Sequence, residues 1–313
     1  MTIAIITGWT WSEREVSLRS AKSVHETLKT WGYTVLEYDF PQDLESFMSS
    51  PKPEFAFIMI HGQDGEDGKI PAFLERLRIP HQGTTAKNHT VCRDKILTKA
   101  IWREVNIPVA ADLILDITSL SKETFRAKIH STVHFPCVVK NPTEGSTIGI
   151  FILSDESLLD IHWSQMQSTL STVLIESFVV GRELTVGILD MPDGATKILP
   201  IIEIIPPNGE DFDYKNKYNG KTTEICPADL SPEETNKIQD VSLQAYNVLK
   251  TKGYGRVDLI LEPDGNIKFL EINTIPGFTD QSLFPLAAKT AGISFLWLLE
   301  ILMQTGLTYN HSL

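Results

Sequence analysis

Cysteine is scarce in this chain: Cys92, Cys137 and Cys226 are all there is in 313 residues, unevenly spaced and with no C-x-x-C. That argues against a disulfide framework and against a cysteine zinc site, and leaves reduced thiols in the cytoplasm as the expectation. Basic residues are outnumbered, 28 Lys and Arg against 40 Asp and Glu, for a net charge of -12. A surface of that sign disfavours nucleic acid or an anionic membrane as a partner. Long hydrophobic runs are missing too, since 55–60 and 295–299 fall far short of the roughly 20 residues a membrane span needs. The apolar start, Met1 to Ile6, has no basic segment before it and breaks at Gly8, so it reads as a strand and not as a signal peptide. No internal repeat or low-complexity segment is present.

What is there fits a globular protein, 42% hydrophobic and 22% charged, long enough for two or three domains. The first third alternates strand and helix: strands at 3–7, 34–38 and 55–60, helices at 13–31 and 70–77. That pattern predicts an open, mostly parallel α/β sheet, whose ligands gather beyond the carboxyl ends of its strands. Two polar loops fall there, Gly8 to Glu15 and His61 to Gly68. Ser12 and Glu15 are spaced as a capping box for the first helix. Glu13 has two readings at this point, an acid favoured by the helix dipole or a receptor for an ammonium group. His61 is either a turn histidine or a site residue.

One later tract is more telling. Arg256-Val-Asp258, then Pro263-Asp264-Gly265-Asn266, then Glu271-Ile-Asn273 reads as a β-hairpin closed by a two-residue Asp-Gly turn. That register sets Asp258 opposite Glu271 and Arg256 opposite Asn273. Facing carboxylates cost stability. Either Arg256 neutralises one of them at a wet edge, or the three oxygen ligands Asp258, Glu271 and Asn273 hold a divalent cation against substrate phosphates. The polar loop 273–285, punctuated by Gly277 and Pro285, favours the cation.

Between these ends, the sequence predicts a helix over 92–105, a strand near Asp112, a strand over 135–140 ending in Lys140, and a Gly-rich loop, Glu144-Gly145-Ser146-Thr147-Ile148-Gly149. Such a loop suits a lid closing on phosphates through backbone N–H groups, and lacks the G-K-[ST] of a Walker A loop. Taken singly, Lys95 and Lys140 also read as surface lysines. A strand ending at Glu176 and a second reaching Leu189 form either a nucleobase-lining segment, with Glu176, Val179 and Glu183 along it, or an ordinary antiparallel hairpin. A strand over 197–205, a polar aromatic loop over 211–218, a helix over 232–250 and a mostly helical apolar end over 284–303 complete the reading.

As an ordered set these tracts resemble the D-alanine:D-alanine ligase family of the ATP-grasp superfamily, along essentially the whole chain. The matching tracts are Ser12-Glu13-Arg14-Glu15, His61-Gly62 with Gly65-Glu66-Asp67-Gly68, Asp94-Lys95, Lys140 with Glu144-Gly145-Ser146, Glu176 with Gly181-Arg182-Glu183, Lys217-Tyr218, Cys226-Pro227-Ala228, Arg256 with Asp258, and Glu271-Ile-Asn273 with Pro276-Gly277, Thr279 and Ser282-Leu283. The resemblance implies an ATP-grasp fold: an N-terminal α/β domain at 1–91, a small domain carrying the lid at 92–180, and a domain with the metal site and oxyanion hole at 181–313, the last two sandwiching ATP. It implies a cytoplasmic homodimer that makes D-alanyl-D-alanine for peptidoglycan precursors through an acylphosphate. ATP would be held by Lys95, Lys140, Ser146, Thr147, Glu176, Val179, Glu183 and Lys217. Two Mg²⁺ ions, or Mn²⁺ in their place, would sit on Asp258, Glu271 and Asn273, with a monovalent cation as a further expectation. Glu13, braced by Ser146 and Tyr218, would take the first D-alanine's ammonium, with His61 beside it. Arg256 and the Gly277 N–H would form the oxyanion hole, and Ser282 and Leu283 would bind the second carboxylate.

Some positions depart from the family pattern. Trp9 and Trp11 stand where small residues are usual, on either side of the approach to Glu13. Cys92-Arg93 replaces a tract that usually ends in Met, and Ser177 replaces a common lysine. Two other functions stay open. One is a sister ligase using D-serine or D-lactate, against which Tyr218 favours a dipeptide product. The other is a nucleotide-binding regulator without catalysis, against which the intact Arg256, Asp258, Glu271 and Asn273 speak.

Overall fold

The computed structural model describes residues 1–8, 13–145, 149–207 and 222–310. Ser12, Ser146, Thr147, Lys217 and Tyr218, like Trp9 and Trp11, lie outside the described residues.

The first sheet is parallel, in the order β2 (Thr34–Phe40), β1 (Thr2–Gly8), β3 (Phe55–Ile58). Strands β1 and β3 are near-continuous buried runs because helices cover them, while the edge strand β2 carries Glu37 and Asp39 and is largely unburied. Helix α1 (Arg14–Thr30) crosses from β1 to β2 and buries Val16, Ala21, Val24 and Leu28. Glu13 occupies its N-cap, with no side-chain cap hydrogen bond. The helix therefore begins one residue later than a capping box started by Ser12 requires. Helices α2 (Leu44–Ser49) and α3 (Lys69–Leu77) follow β2 and β3.

The expected helix over 92–105 is two helices, α4 (Ala86–Arg93) and α5 (Lys95–Glu104). Asp94 makes the break, leaving helical geometry so that its carboxylate accepts from the N–H groups of Ile96 at 2.8 Å and Leu97 at 3.2 Å. A second sheet, antiparallel, runs β4 (Asp112–Asp116), β7 (Thr172–Ser177), β5 (Cys137–Lys140), β6 (Phe151–Leu153), backed by α6 (Lys122–Thr132) and α7 (Glu156–Thr169). The strand ending at Glu176 thus pairs with β4 and β5. Its successor β8 (Arg182–Asp190) belongs to a third sheet, so the two are not a hairpin.

That third sheet has the order β11 (Thr223–Ile225), β10 (Ile202–Ile205), β8, β12 (Tyr254–Leu261), β13 (Ile267–Asn273), with β9 (Thr196–Ile198) also on β8. The strand expected over 197–205 is broken between β9 and β10, where Pro200 lacks a ladder donor. Helix α8 (Pro232–Val248) carries a complete capping box from Ser231 and Glu234. The apolar end forms α9 (Leu283–Thr290) and α10 (Phe295–Asn310), which meet at 103°. Gly292, at φ +81°, closes α9: its N–H donates to Lys289 and that of Ile293 to Ala288. Among the described residues no single helix is long and apolar enough to cross a membrane.

The β12–β13 hairpin has the expected register for an unexpected reason. Gly265 N–H donates to the Glu262 carbonyl and Glu262 N–H to that of Asn266, at 2.9 and 2.8 Å. The loop is therefore three residues, Pro263-Asp264-Gly265, with Gly265 at φ +80°, and not a two-residue turn. Alone it would shift the pairing by one, as at Leu261↔Ile267. A bulge between Asp258 and Leu259 takes up Leu270 and restores Asp258↔Glu271 and Arg256↔Asn273.

Among the described residues four cores stabilise these sheets, and one of them packs Ile6, Phe40, Phe47 and Leu74 against a face of the first sheet. Chain end meets chain start in a second, where Phe278, Phe284, Leu298 and Leu302 pack with Ile3, Ile5, Val24 and Leu28. A third joins Trp102 of α5 to Leu184, Val257 and Phe269 of the third sheet, and a fourth lies behind the β4–β7 sheet. Each fully buried Phe or Leu contributes about 2 to 3 kcal/mol.

Candidate active site

The β12–β13 hairpin is a wall between two cavities. Glu13, His61, Glu66, Arg256, Asn273, Gly277, Ser282 and Leu283 line the first. Lys95, Lys140, Glu144, Gly145, Glu176, Val179, Glu183 and Asp258 line the second. Glu271 lines both. Every described residue singled out from the sequence therefore faces one cavity or the other.

On the wall, Asp258 is heavily bonded. Arg256 Nε and Nη2 donate to its two oxygens at 2.9 and 2.8 Å, Asn273 Nδ2 donates at 2.8 Å, and the Thr185 hydroxyl donates to Oδ1. A guanidinium forked onto a carboxylate is the strong form of this contact. Glu271, directly opposite, takes the Lys95 ammonium at 2.8 Å. The facing carboxylates are thus each neutralised, Asp258 by Arg256 and Glu271 by Lys95. Among the described residues no cluster of three His, Cys, Asp or Glu forms a metal site by itself. Two carboxylates and an amide oxygen are a hard donor set, one that fits Mg²⁺ when phosphates complete the shell.

In the second cavity Lys95 also donates to the Glu144 carbonyl at 2.8 Å, which ties α5 to the base of the Gly-rich loop. Burial lowers the Lys95 pKa, with Glu271 opposing. Glu176 is paired with both Lys140 and Lys99. Burial works against its charge, yet the two ammonium groups win and hold its pKa at about 2. Lys99 is fully buried and was not singled out from the sequence. Its signal was there, four residues beyond Lys95 on the same face of one helix.

In the first cavity, the Ser17 hydroxyl contacts Thr7 Oγ1 at 2.9 Å and accepts the Gly8 N–H at 3.1 Å, locking the end of β1 to α1 and so placing Glu13. Glu13 lies on Gly62, which has φ +71°; a Cβ there would be 2.1 Å from Glu13 Oε2. Glu66 pairs with Arg93 at 2.9 Å, and burial lifts its pKa to about 7 despite that partner. Arg93 also abuts Gly145, whose Cβ would be 2.8 Å from its Nη1. Glu66 lies within the His61–Gly68 motif and Arg93 beside Asp94-Lys95, and neither position reveals this pairing in the sequence. Ser282 Oγ accepts from Thr279 N–H at 3.0 Å beside Gly277.

Comparison with known proteins agrees with this geometry. The family model described as D-ala D-ala ligase C-terminus matches residues 101–304. The chain is 40% identical over 310 residues to a D-alanine--D-alanine ligase of Syntrophobacter fumaroxidans, covering 98% of each. It is 38% identical over 305 residues to that of Desulforudis audaxviator, covering 96% of this chain and 97% of the relative. Among solved structures, a D-alanine--D-alanine ligase from Bacillus anthracis superposes with TM-score 0.86 at 31% identity, covering 100% of this chain and 99% of that one. Its complex with ATP gives 0.84 at 30%, covering 100% and 98%. The VanG D-Ala:D-Ser ligase from Enterococcus faecalis gives 0.82 at 26%, covering 97% and 99%. The chain belongs to the D-alanine–D-alanine ligase family and has its ATP-grasp fold.

Proposed function

We propose that this protein joins two molecules of D-alanine at the expense of ATP, making D-alanyl-D-alanine for peptidoglycan precursors. The observation that carries the reading is the shared wall: Glu271 faces both cavities, so a nucleotide in one presents its γ-phosphate to a carboxylate in the other.

The first D-alanine binds with its ammonium on Glu13, and its carboxylate attacks the γ-phosphorus. A C–O–P bond forms, the bond to ADP breaks, and D-alanyl phosphate results. The amine of the second D-alanine, its carboxylate on Ser282 and Leu283, then attacks the acyl carbon, and the proton it gives up leaves with the departing phosphate. Arg256 and the Gly277 N–H donate to the oxyanion of the tetrahedral intermediate, which collapses and expels phosphate. Such donors are worth roughly 3 to 4 kcal/mol each. His61 stands in the wall of the same cavity.

Lys95, Lys140, Ser146 and Thr147 hold phosphates, and Glu176, Val179, Glu183 and Lys217 hold the nucleoside. Tyr218 and Ser146, both outside the described residues, are assigned to Glu13 by the family resemblance alone. Asp258, Glu271 and Asn273 are the ligands for two Mg²⁺ ions, which when bound offset charge on the transferring phosphoryl group. Nucleotide binding redistributes the present ion pairs. Lys140 and Lys95 turn to phosphate, Glu176 stays ionised on Lys99, and Arg256 turns from Asp258 to the substrate.

The same reading makes the protein a cytoplasmic homodimer of three-domain subunits, 1–91, 92–180 and 181–313. A second reading puts D-serine in the place of the second D-alanine, and the likeness to a D-Ala:D-Ser ligase favours it. The 33% to 40% identity to D-alanine--D-alanine ligases over nearly the whole chain outweighs that. Mass analysis of the product formed from D-alanine with and without D-serine tests the choice. Homogeneous D-alanyl-D-alanine in the mixture supports the first reading, and D-alanyl-D-serine the second.

A further inference from the structure

We infer that Ser20 and His61 are positioning residues, a clamp that fixes the backbone of Gly277 from both sides. This rests on the functional reading above, since the Gly277 N–H matters only if an oxyanion forms there.

Gly277 lies in an irregular segment between β13 and α9. Two residues before it, the Ile275 carbonyl is 2.9 Å from His61 Nδ1. One residue after it, the Phe278 N–H donates to Ser20 Oγ at 3.2 Å. Ser20 Oγ is in turn 3.0 Å from His61 Nε2. The proton placement follows from the ends. A carbonyl only accepts, so Nδ1 carries the hydrogen, and in the neutral ring that burial favours Nε2 then carries none. The Ser20 hydroxyl must then donate to Nε2 while its oxygen accepts from Phe278. The chain runs in one direction, from the Phe278 N–H through the Ser20 hydroxyl and the imidazole to the Ile275 carbonyl. Both ring nitrogens of His61 are thereby committed to protein.

The anchors are rigid and dry. Ser20 is on α1 and 0% exposed, His61 follows β3 at 6%, and Ile275 and Phe278 are at 2% and 0%. Burial lowers the pKa of His61, with Glu13 opposing, which keeps the ring in its neutral, accepting form. Pro276 fixes one backbone angle inside the clamped segment. At Gly277 a Cβ would approach Ser282 Oγ to 3.0 Å. An N–H that must meet a transient oxyanion gains from such fixing, because a misplacement of about 1 Å can cost roughly 100-fold in rate.

The test is Ser20→Ala in the full-length enzyme, with His61→Gln as a second variant should the first fail to fold. The clamp predicts a 10- to 100-fold fall in kcat, by the placement argument, with KM for ATP within about twofold. Inhibition by a tetrahedral phosphinate analogue of the dipeptide weakens by the same factor, because the analogue needs the same donor. Loss of thermal stability alone, or a kcat loss with phosphinate affinity unchanged, overturns the clamp while leaving the ligase reading intact. An unaltered enzyme that makes no peptide from D-alanine overturns the functional reading and the clamp with it.

Discussion

Arg256 and Asp258, two residues apart on β12, grip one another through paired hydrogen bonds of 2.9 and 2.8 Å. The proposed oxyanion donor and a proposed metal ligand thus serve as each other's counter-ion. On the proposed assignment, Arg256→Ala removes a donor needed only after the acylphosphate has formed, so kcat should fall roughly 100- to 1,000-fold. ATP binding, measured by calorimetry, should change by less than a few-fold. Full turnover by Arg256→Ala would remove the oxyanion assignment.

Gly62→Ala probes Glu13 without touching it. The new methyl would point at the Glu13 carboxylate from 2.1 Å, and φ +71° strains a non-glycine residue by about 1 kcal/mol or more. KM for D-alanine should rise at least tenfold, by the geometric sensitivity of a charged contact, while KM for ATP holds. Equal rises in both would mean a general distortion and not a displaced ammonium receptor.

Lys99→Met leaves Glu176 buried with Lys140 as its one remaining ammonium partner. Breaking a buried pair from one side costs roughly 3 to 5 kcal/mol, and the retained Lys140 puts this case near the lower figure. Urea denaturation reads the stability change, and KM for ATP should rise with it. A cost under about 1 kcal/mol would show that Lys140 alone satisfies Glu176.

Much of this site was legible because its chemistry needs charged residues at fixed strand and loop positions. Asp258, Glu271 and Arg256 stand out against an apolar hairpin, and the register between them came out right. It did so through two cancelling features, a three-residue loop and the bulge at Leu270, neither visible in alternation because each shifts the period by one. Helical spacing sets Lys99 on the Lys95 face, but that the face is buried against Glu176 is a tertiary property that spacing does not carry. The strand order that separates β7 from β8 was equally hidden, local sequence being the same for a hairpin and for a step between sheets. Ser20 escaped notice because a serine on a helix face carries no signal until the His61 ring and the Phe278 amide arrive from 41 and 258 residues away.

Acid sensitivity should trace partly to His89. Burial, with His81 adding, lowers its pKa from 6.5 to about 3. Between those values the unfolded chain binds a proton that the folded one refuses, so stability falls as pH drops, by up to about 1.4 kcal/mol per unit. Glu66, raised to about 7, has the opposite slope between pH 7 and 4.5 because its folded form holds the extra proton. The comparison is therefore between the parent and His89→Asn. The parent should lose more in melting temperature from pH 6.5 to 4.5, and parallel losses would contradict the assignment.

The most direct measurement is product formation by the purified protein with Mg-ATP and D-alanine, set against L-alanine, D-serine and D-lactate, with ADP, phosphate and product mass followed together. The account predicts D-alanyl-D-alanine, with one ADP and one phosphate released per dipeptide. ATP binding without phosphate release on any of these substrates, or release selective for a substrate other than D-alanine, would contradict it.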